Sequence, residues 1–334
     1  MSSLSSFMAS QLPIGENPPN SLDSILDHLL TGLTSPSSRH YPRYGHFVSQ
    51  HSSTLASFLT ASLTPSISSL FSNSSNPAPS SLISLPAYPQ KDQRPYHGRA
   101  IYLHILHGAD GTTRLYIGQA TNLAARLSQH ADFRYRRDNP SLHTYAMQRS
   151  ARDSFVVLAK VTQPPAELSS RPDLLMNLLE MWCCLLFRTL QTATLRRYLP
   201  DEVLGESNVG LNVGIPLDYG DPEAEALGRR EFALLRESGD EFCRRHYWYV
   251  AKRRDERQGR QLGHGNSSES VPGEIDDGSV PHDTDGKALQ RTQSSEPGEE
   301  AESGSSGWII WTVALLGGVM VLSHVLGPPG TRRR

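Results

Sequence analysis

Cysteine is scarce in this 334-residue chain: Cys183, Cys184 and Cys243 are the only three. Three thiols cannot build a disulfide framework, and they lack the paired spacing of a structural zinc site, so a zinc finger is excluded and a reducing compartment is expected. Hydrophobic residues make up 37% of the chain and aromatics 7%, which is lean for a protein packed throughout. The first 30 residues contain no arginine and no basic segment followed by an apolar one, so neither a mitochondrial presequence nor a signal peptide is read there. Serine crowds the first 90 positions instead, which predicts a Ser-rich disordered arm over residues 1–90. The clusters Leu26, Leu29, Leu30, Leu33 and Leu55, Phe58, Leu59, Leu63 suggest only brief amphipathic helices within it.

The formal charge of −2 conceals a strong division. Residues 93–172 carry 11 Lys/Arg against 5 Asp/Glu, whereas residues 255–306 carry 12 acids against 4 bases. The acidic, polar stretch 261–306 reads as a disordered linker; treated as a flexible chain it reaches roughly 40 Å. Beyond it, Trp308 to Leu326 run 19 residues without a formal charge, enough at about 1.5 Å per residue to cross a hydrocarbon core. A transmembrane helix is therefore expected over 307–327, with indoles at one border and a short basic tail, 328–334, at the other. A single span so placed implies a lipid-bilayer partner and a tail-anchored topology with the N-terminal part cytosolic. The mitochondrial outer membrane or peroxisome is favoured, with the endoplasmic reticulum and nuclear envelope open.

The folded part lies between. Residues 99–106 alternate and are apolar-aromatic, an Asp-Gly turn follows, and residues 114–118 form a second short run, which is an antiparallel hairpin pattern. Thr121 or Asn122 can cap a helix bearing Leu123, Leu127, Arg126 and His130, residues 153–161 read as a third strand, and 173–199 as a long helix. The fold class is thus α/β of the α+β kind: a small three-stranded antiparallel sheet flanked by helices over 96–220, with a basic helical extension over 221–260.

Tyr102 and Tyr116 fall on neighbouring strands, where cross-strand pairing can bring their hydroxyls together. Arg126 and His130, four positions apart, project from one side of the following helix. Ala100–Tyr102, then Tyr116–Gly118, then Arg126 and His130 at these spacings resemble the GIY-YIG endonuclease superfamily over about 120 residues. Ala100 stands where that family carries glycine, and Tyr116 follows Tyr102 by 14 positions, a longer hairpin than usual.

The apolar segment 174–200 holds one carboxylate, Glu180, which must pair with a cation such as Arg126 or Arg188, take up a proton, or hold a metal. The resemblance implies that Glu180 is the ligand of a single Mg²⁺ or Mn²⁺, that Tyr102 is the general base, that Tyr116 orients phosphate or water, and that Asn212, with Asn208 in reserve, supports the site. It further implies hydrolysis of a phosphodiester in nucleic acid, DNA ahead of RNA. Arg134, Arg136, Arg137, Arg149 and Arg152, interleaved with Tyr135, His143 and Tyr145, suit a phosphate backbone, and residues 243–254 repeat the pattern. The alternative is a catalytically inactive, membrane-tethered adaptor that binds nucleic acid or protein. The sequence leaves the oligomeric state open.

Overall fold

The computed structural model describes residues 21–73, 77, 79–90, 94–204 and 210–264. The expected transmembrane segment 307–327, the acidic linker 261–306 beyond His264, the basic tail 328–334, the arm before Ser21 and the reserve residue Asn208 lie outside the described residues. Among those described, no helix is long and apolar enough to cross a membrane. Residues up to Trp248 belong to one compact unit, and those from Tyr249 to His264 to a second.

The sheet forms as its alternation predicts. β1 (Arg99–Gly108) is central, pairing antiparallel with β2 (Thr113–Ala120) on one side and β3 (Ser150–Val161) on the other. Gly111, at φ +77°, takes the left-handed conformation that the tight turn between β1 and β2 needs. Because side chains alternate, Ile101, Leu103 and Ile105 face one way into the main core, and Ala100, Tyr102 and His104 face the other.

Helices cover both faces. α5 (Leu123–Ala131), α6 (Phe133–Asp138) and α7 (Leu142–Met147) follow β2. The side chain of Asn122 caps α5 by accepting from Ala125 N at 3.1 Å. α8 (Ala166–Ser169) leads to α9 (Pro172–Leu186), whose first position is the proline that helix starts favour.

The expected 173–199 helix is shorter than read. Arg188 adopts φ +52° and the Thr189 amide bonds back to the Cys184 carbonyl, a Schellman-type stop. The guanidinium of Arg188 seals it, donating to Leu186 O and Val203 O, each at 2.9 Å. α10 (Thr192–Leu195), α11 (Asp201–Leu204), a 3-10 turn (Pro216–Asp218), α12 (Ala224–Leu234) and α13 (Glu241–His264) complete the order.

The N-terminal reading is corrected. Residues 21–73 are not a disordered arm but helices of the same unit: α1 (Leu22–Thr34), a π-turn (Tyr41–Gly45), α2 (His46–Ser62) and α3 (Pro65–Asn73), with α4 (Pro79–Ile83) after them. Ser21 and Ser24 form a capping box, and Ile25, Leu26, Leu29, Leu30 and Leu33 are buried against a core that includes α9. Each such aliphatic side chain contributes about 1.5–3 kcal/mol on burial, which outweighs the poor helix propensity of the serines between them. Trp182 Nε1 donates to Leu22 O at 3.2 Å, and Thr64 N to Leu158 O at 2.8 Å, tying the segment to α9 and β3.

The segment expected as a basic helical extension, 221–260, is helical over α12 and α13. Leu235 and Cys243 pack with Leu106, Leu142 and Leu211, so the first turns of α13 share a core with β1 and α7.

Candidate functional site

The site is built on the sheet face that carries Tyr102. Register sets Tyr102 opposite Gly118 and Tyr116 opposite His104. The Tyr102 ring lies over Gly118: a Cβ there would sit 2.6 Å from Tyr102 Cζ, closer than any real contact, so the glycine of the second tripeptide is required by the phenol that crosses it. The two phenol rings are 6.4 Å apart, centroid to centroid.

α5 brings the next two groups. Tyr102 Oη and His130 Nε2 are hydrogen-bonded at 2.7 Å, and Arg126 Nε donates to the same phenol oxygen at 3.3 Å. Arg126 is held in turn by Gln129 Oε1 at 3.1 Å and Tyr135 Oη at 2.8 Å. Tyr102, Arg126 and His130 thus meet at one oxygen, with Tyr116 beside them.

α9 supplies the acid. Glu180 is 1% exposed, and its Oε2 is buried without a hydrogen-bond partner. Burial pushes its carboxyl up to about 8, against the pull of the Arg126 charge and a hydrogen bond from Gln119. When ionised it disfavours ionisation of both Tyr102 and Tyr116, so it lies within electrostatic reach of the two phenols.

Burial dominates the other shifts. Tyr102 and Tyr116 both move above the ordinary phenol value, chiefly by desolvation, and for Tyr102 the opposing Arg126 charge does not win. Burial, reinforced by Arg126, His104 and Arg136, lowers His130 to about 2, so its imidazole is neutral.

Asn212 supports the site from the outside of β2. Its Oδ1 accepts from Ile117 N at 2.9 Å and its Nδ2 donates to Ile117 O at 2.8 Å, fixing the residue between Tyr116 and Gly118. Its backbone amide bonds to Thr189 O at 2.9 Å. The long separation from Glu180 is therefore an excursion whose ends meet at Thr189 and Asn212.

The basic residues divide. Arg134, Arg149 and Arg152 are exposed. Arg136 is instead committed to the end of α5, donating to His130 O and Ala131 O at 2.5 and 2.9 Å, and Arg137 is paired with Asp138 at 2.8 Å. Arg149 stacks on Tyr145, 3.6 Å from its ring centre.

Sequence reading missed several participants. Asn177, one turn before Glu180, accepts from Gln119 Nε2 at 2.9 Å and donates to Tyr44 Oη and Tyr219 O, each at 3.0 Å, so the N-terminal segment braces the site. Tyr219 feels the charge of Glu180. His104 and Asp153 also join this face, though His104 stands two positions after Tyr102 and the alternation alone places both on one side.

Among the described residues, no three His, Cys, Asp or Glu side chains are grouped to hold a metal. The orphaned Glu180 oxygen nevertheless suits an ion of the magnesium kind, which is bound through one or two carboxylates with water and phosphate oxygens. No family model, curated protein or solved structure matches this chain.

Proposed function

We propose that this chain is a metal-dependent endonuclease of the GIY-YIG kind, hydrolysing phosphodiester bonds of nucleic acid and held at a membrane through residues 307–327. One observation carries the reading: Tyr102, Arg126 and His130 converge on one phenol oxygen while a buried carboxylate with an unpartnered oxygen, Glu180, acts on the same phenol.

Glu180 would hold a Mg²⁺ or Mn²⁺ ion, which supplies Lewis-acid charge to the scissile phosphate when bound. Arg126 offsets the phosphate charge by its positive charge, its Nε and Nη1 being engaged by Tyr102, Gln129 and Tyr135. Tyr102 accepts a proton from the attacking water and passes its own to His130 Nε2. Such a coupled exchange avoids a free phenolate, which burial makes costly here. His130 Nε2 is placed to take that proton, and the burial that keeps the ring neutral also makes its imidazolium costly, so it holds the proton only in passing. Tyr116 orients water or phosphate, and Arg134, Arg149 and Arg152 follow the backbone of the substrate.

A second reading, the non-catalytic adaptor, is favoured by one fact: Tyr102 is 0% and Glu180 1% exposed. Nicking of supercoiled plasmid and branched DNA with Mg²⁺ or Mn²⁺ separates the two. Glu180→Ala and Arg126→Ala are expected to lose activity by about 10²–10³-fold or more. Equal activity in the variants overturns the mechanism, and nucleic-acid binding without cleavage by the parent supports the adaptor. Fluorescent tagging of residues 300–334 tests the membrane part.

A further inference from the structure

Beside the phenols lies a second polar chain that the chemistry above does not use. His104, 0% exposed, bonds through Nε2 to Asp153 Oδ2 at 2.6 Å and through Nδ1 to His143 Nε2 at 2.8 Å. His143 stacks face to face on Tyr116, with centroids 3.8 Å apart and planes 7° from parallel. His104 is itself stacked on Phe155 at 3.8 Å. Of the three hydrogen-bonded members only Asp153 reaches solvent, its side chain 42% exposed.

The chemistry of these atoms gives the chain a direction. An ionised carboxylate only accepts, so His104 Nε2 carries the proton and donates to Asp153. A neutral His104 then has a bare Nδ1, which accepts from His143 Nε2–H and leaves His143 Nδ1 without a proton. The charge on Asp153 therefore selects the tautomer of a buried ring two links away. Among the described residues, the charged and titratable groups facing the two rings are Asp153 from β3, Tyr116 from β2, His130 and Arg126 from α5, and, through Asp153, Arg136 from α6.

We infer that Asp153, His104 and His143 form a positioning relay, in which a surface carboxylate fixes the tautomer and tilt of His143 and thereby the orientation of Tyr116. This rests on the reading of Tyr116 as the group that orients water or phosphate. His104 and Asp153 touch no reacting atom, and within the relay they reach Tyr116 through His143. Burial holds both rings below the ordinary histidine value, in keeping with a neutral pair.

Nitrogen-15 NMR of the imidazoles tests the relay without any substrate. At pH 7 the intact protein is expected to show His104 and His143 each as the single Nε2–H tautomer. Asp153→Ala should give mixed tautomers at His143 and shift the ring resonances of Tyr116, assigned by Tyr116→Phe, and Asp153→Glu should restore both. A pure Nε2–H form of His143 in Asp153→Ala, a cationic His104 or His143 in the parent, or an unmoved Tyr116 overturns the relay.

In the nicking assay, Asp153→Ala should lower kcat by about ten- to a hundredfold at little change in KM. His143→Phe, which keeps a flat ring on Tyr116, should retain more activity than His143→Ala. An inactive parent with the tautomer pattern intact defeats the nuclease reading alone, whereas active variants with unchanged kcat defeat the relay alone.

Discussion

The two faces of the three-stranded sheet differ in everything except their backbone. One carries Ile101, Leu103 and Ile105 into a core shared with α1, α2 and α9, while the other, one residue out of phase on the same strand, carries Tyr102 and His104. The apolar face has no hydrogen-bonding demand and can only hold the fold together. The polar face is almost as buried, yet it contains His130 Nδ1 without a partner, and Glu180 Oε2 nearby is likewise orphaned. Groups left unsatisfied in this way cost stability, about 1–3 kcal/mol each for neutral ones and more for charged ones.

Acid should separate the faces most. Folded His130 stays neutral down to about 2, while in the unfolded chain it takes a proton near 6.5. Below pH 6.5 the unfolded state binds more protons, so stability is full above that value and falls by about 1.4 kcal/mol per pH unit for this ring alone. His104 and His143 are shifted in the same direction and add to the loss. Urea unfolding between pH 7 and 4.5 measures this, and His130→Gln should reduce the slope by about one proton.

The apolar face gives a pH-independent effect of similar or smaller size. Leu103→Ala is expected to destabilise by about 2–5 kcal/mol through lost burial and a cavity, with activity per folded molecule unchanged. Equilibrium unfolding beside active-site titration distinguishes the two quantities. The smallest change in stability, about 1–3 kcal/mol, is expected of Gly118→Ala, whose new Cβ meets the Tyr102 phenol. Under the nuclease proposal its sharper signature is loss of nicking, because the displaced ring breaks contact with His130 and Arg126. Wild-type nicking by this variant would detach the glycine from the site.

Much of this contrast was legible beforehand. The hairpin, the third strand and the Asn122 cap announce themselves through alternation and local capping chemistry, and the Tyr102, Arg126, His130 set through spacing. The N-terminal helices do not, because their serines lower propensity and their stability comes from Leu26, Leu29 and Leu33 meeting partners more than a hundred residues away. The end of α9 was hidden because an arginine, not a glycine, takes the left-handed turn there. The link between His104, His143 and Asp153 depends on strand register and on where α7 lands. Neither is written in any local pattern.

The amide of Asn212 has one more consequence. β2 is an outer strand, and outer strands invite a second chain to continue the sheet. By spending both halves of its amide on Ile117, and with Leu211 N bonded to Leu115 O, the 210–212 segment occupies the groups a foreign strand would grip. The same side chain that steadies the second tyrosine therefore also guards the protein against edge-to-edge aggregation.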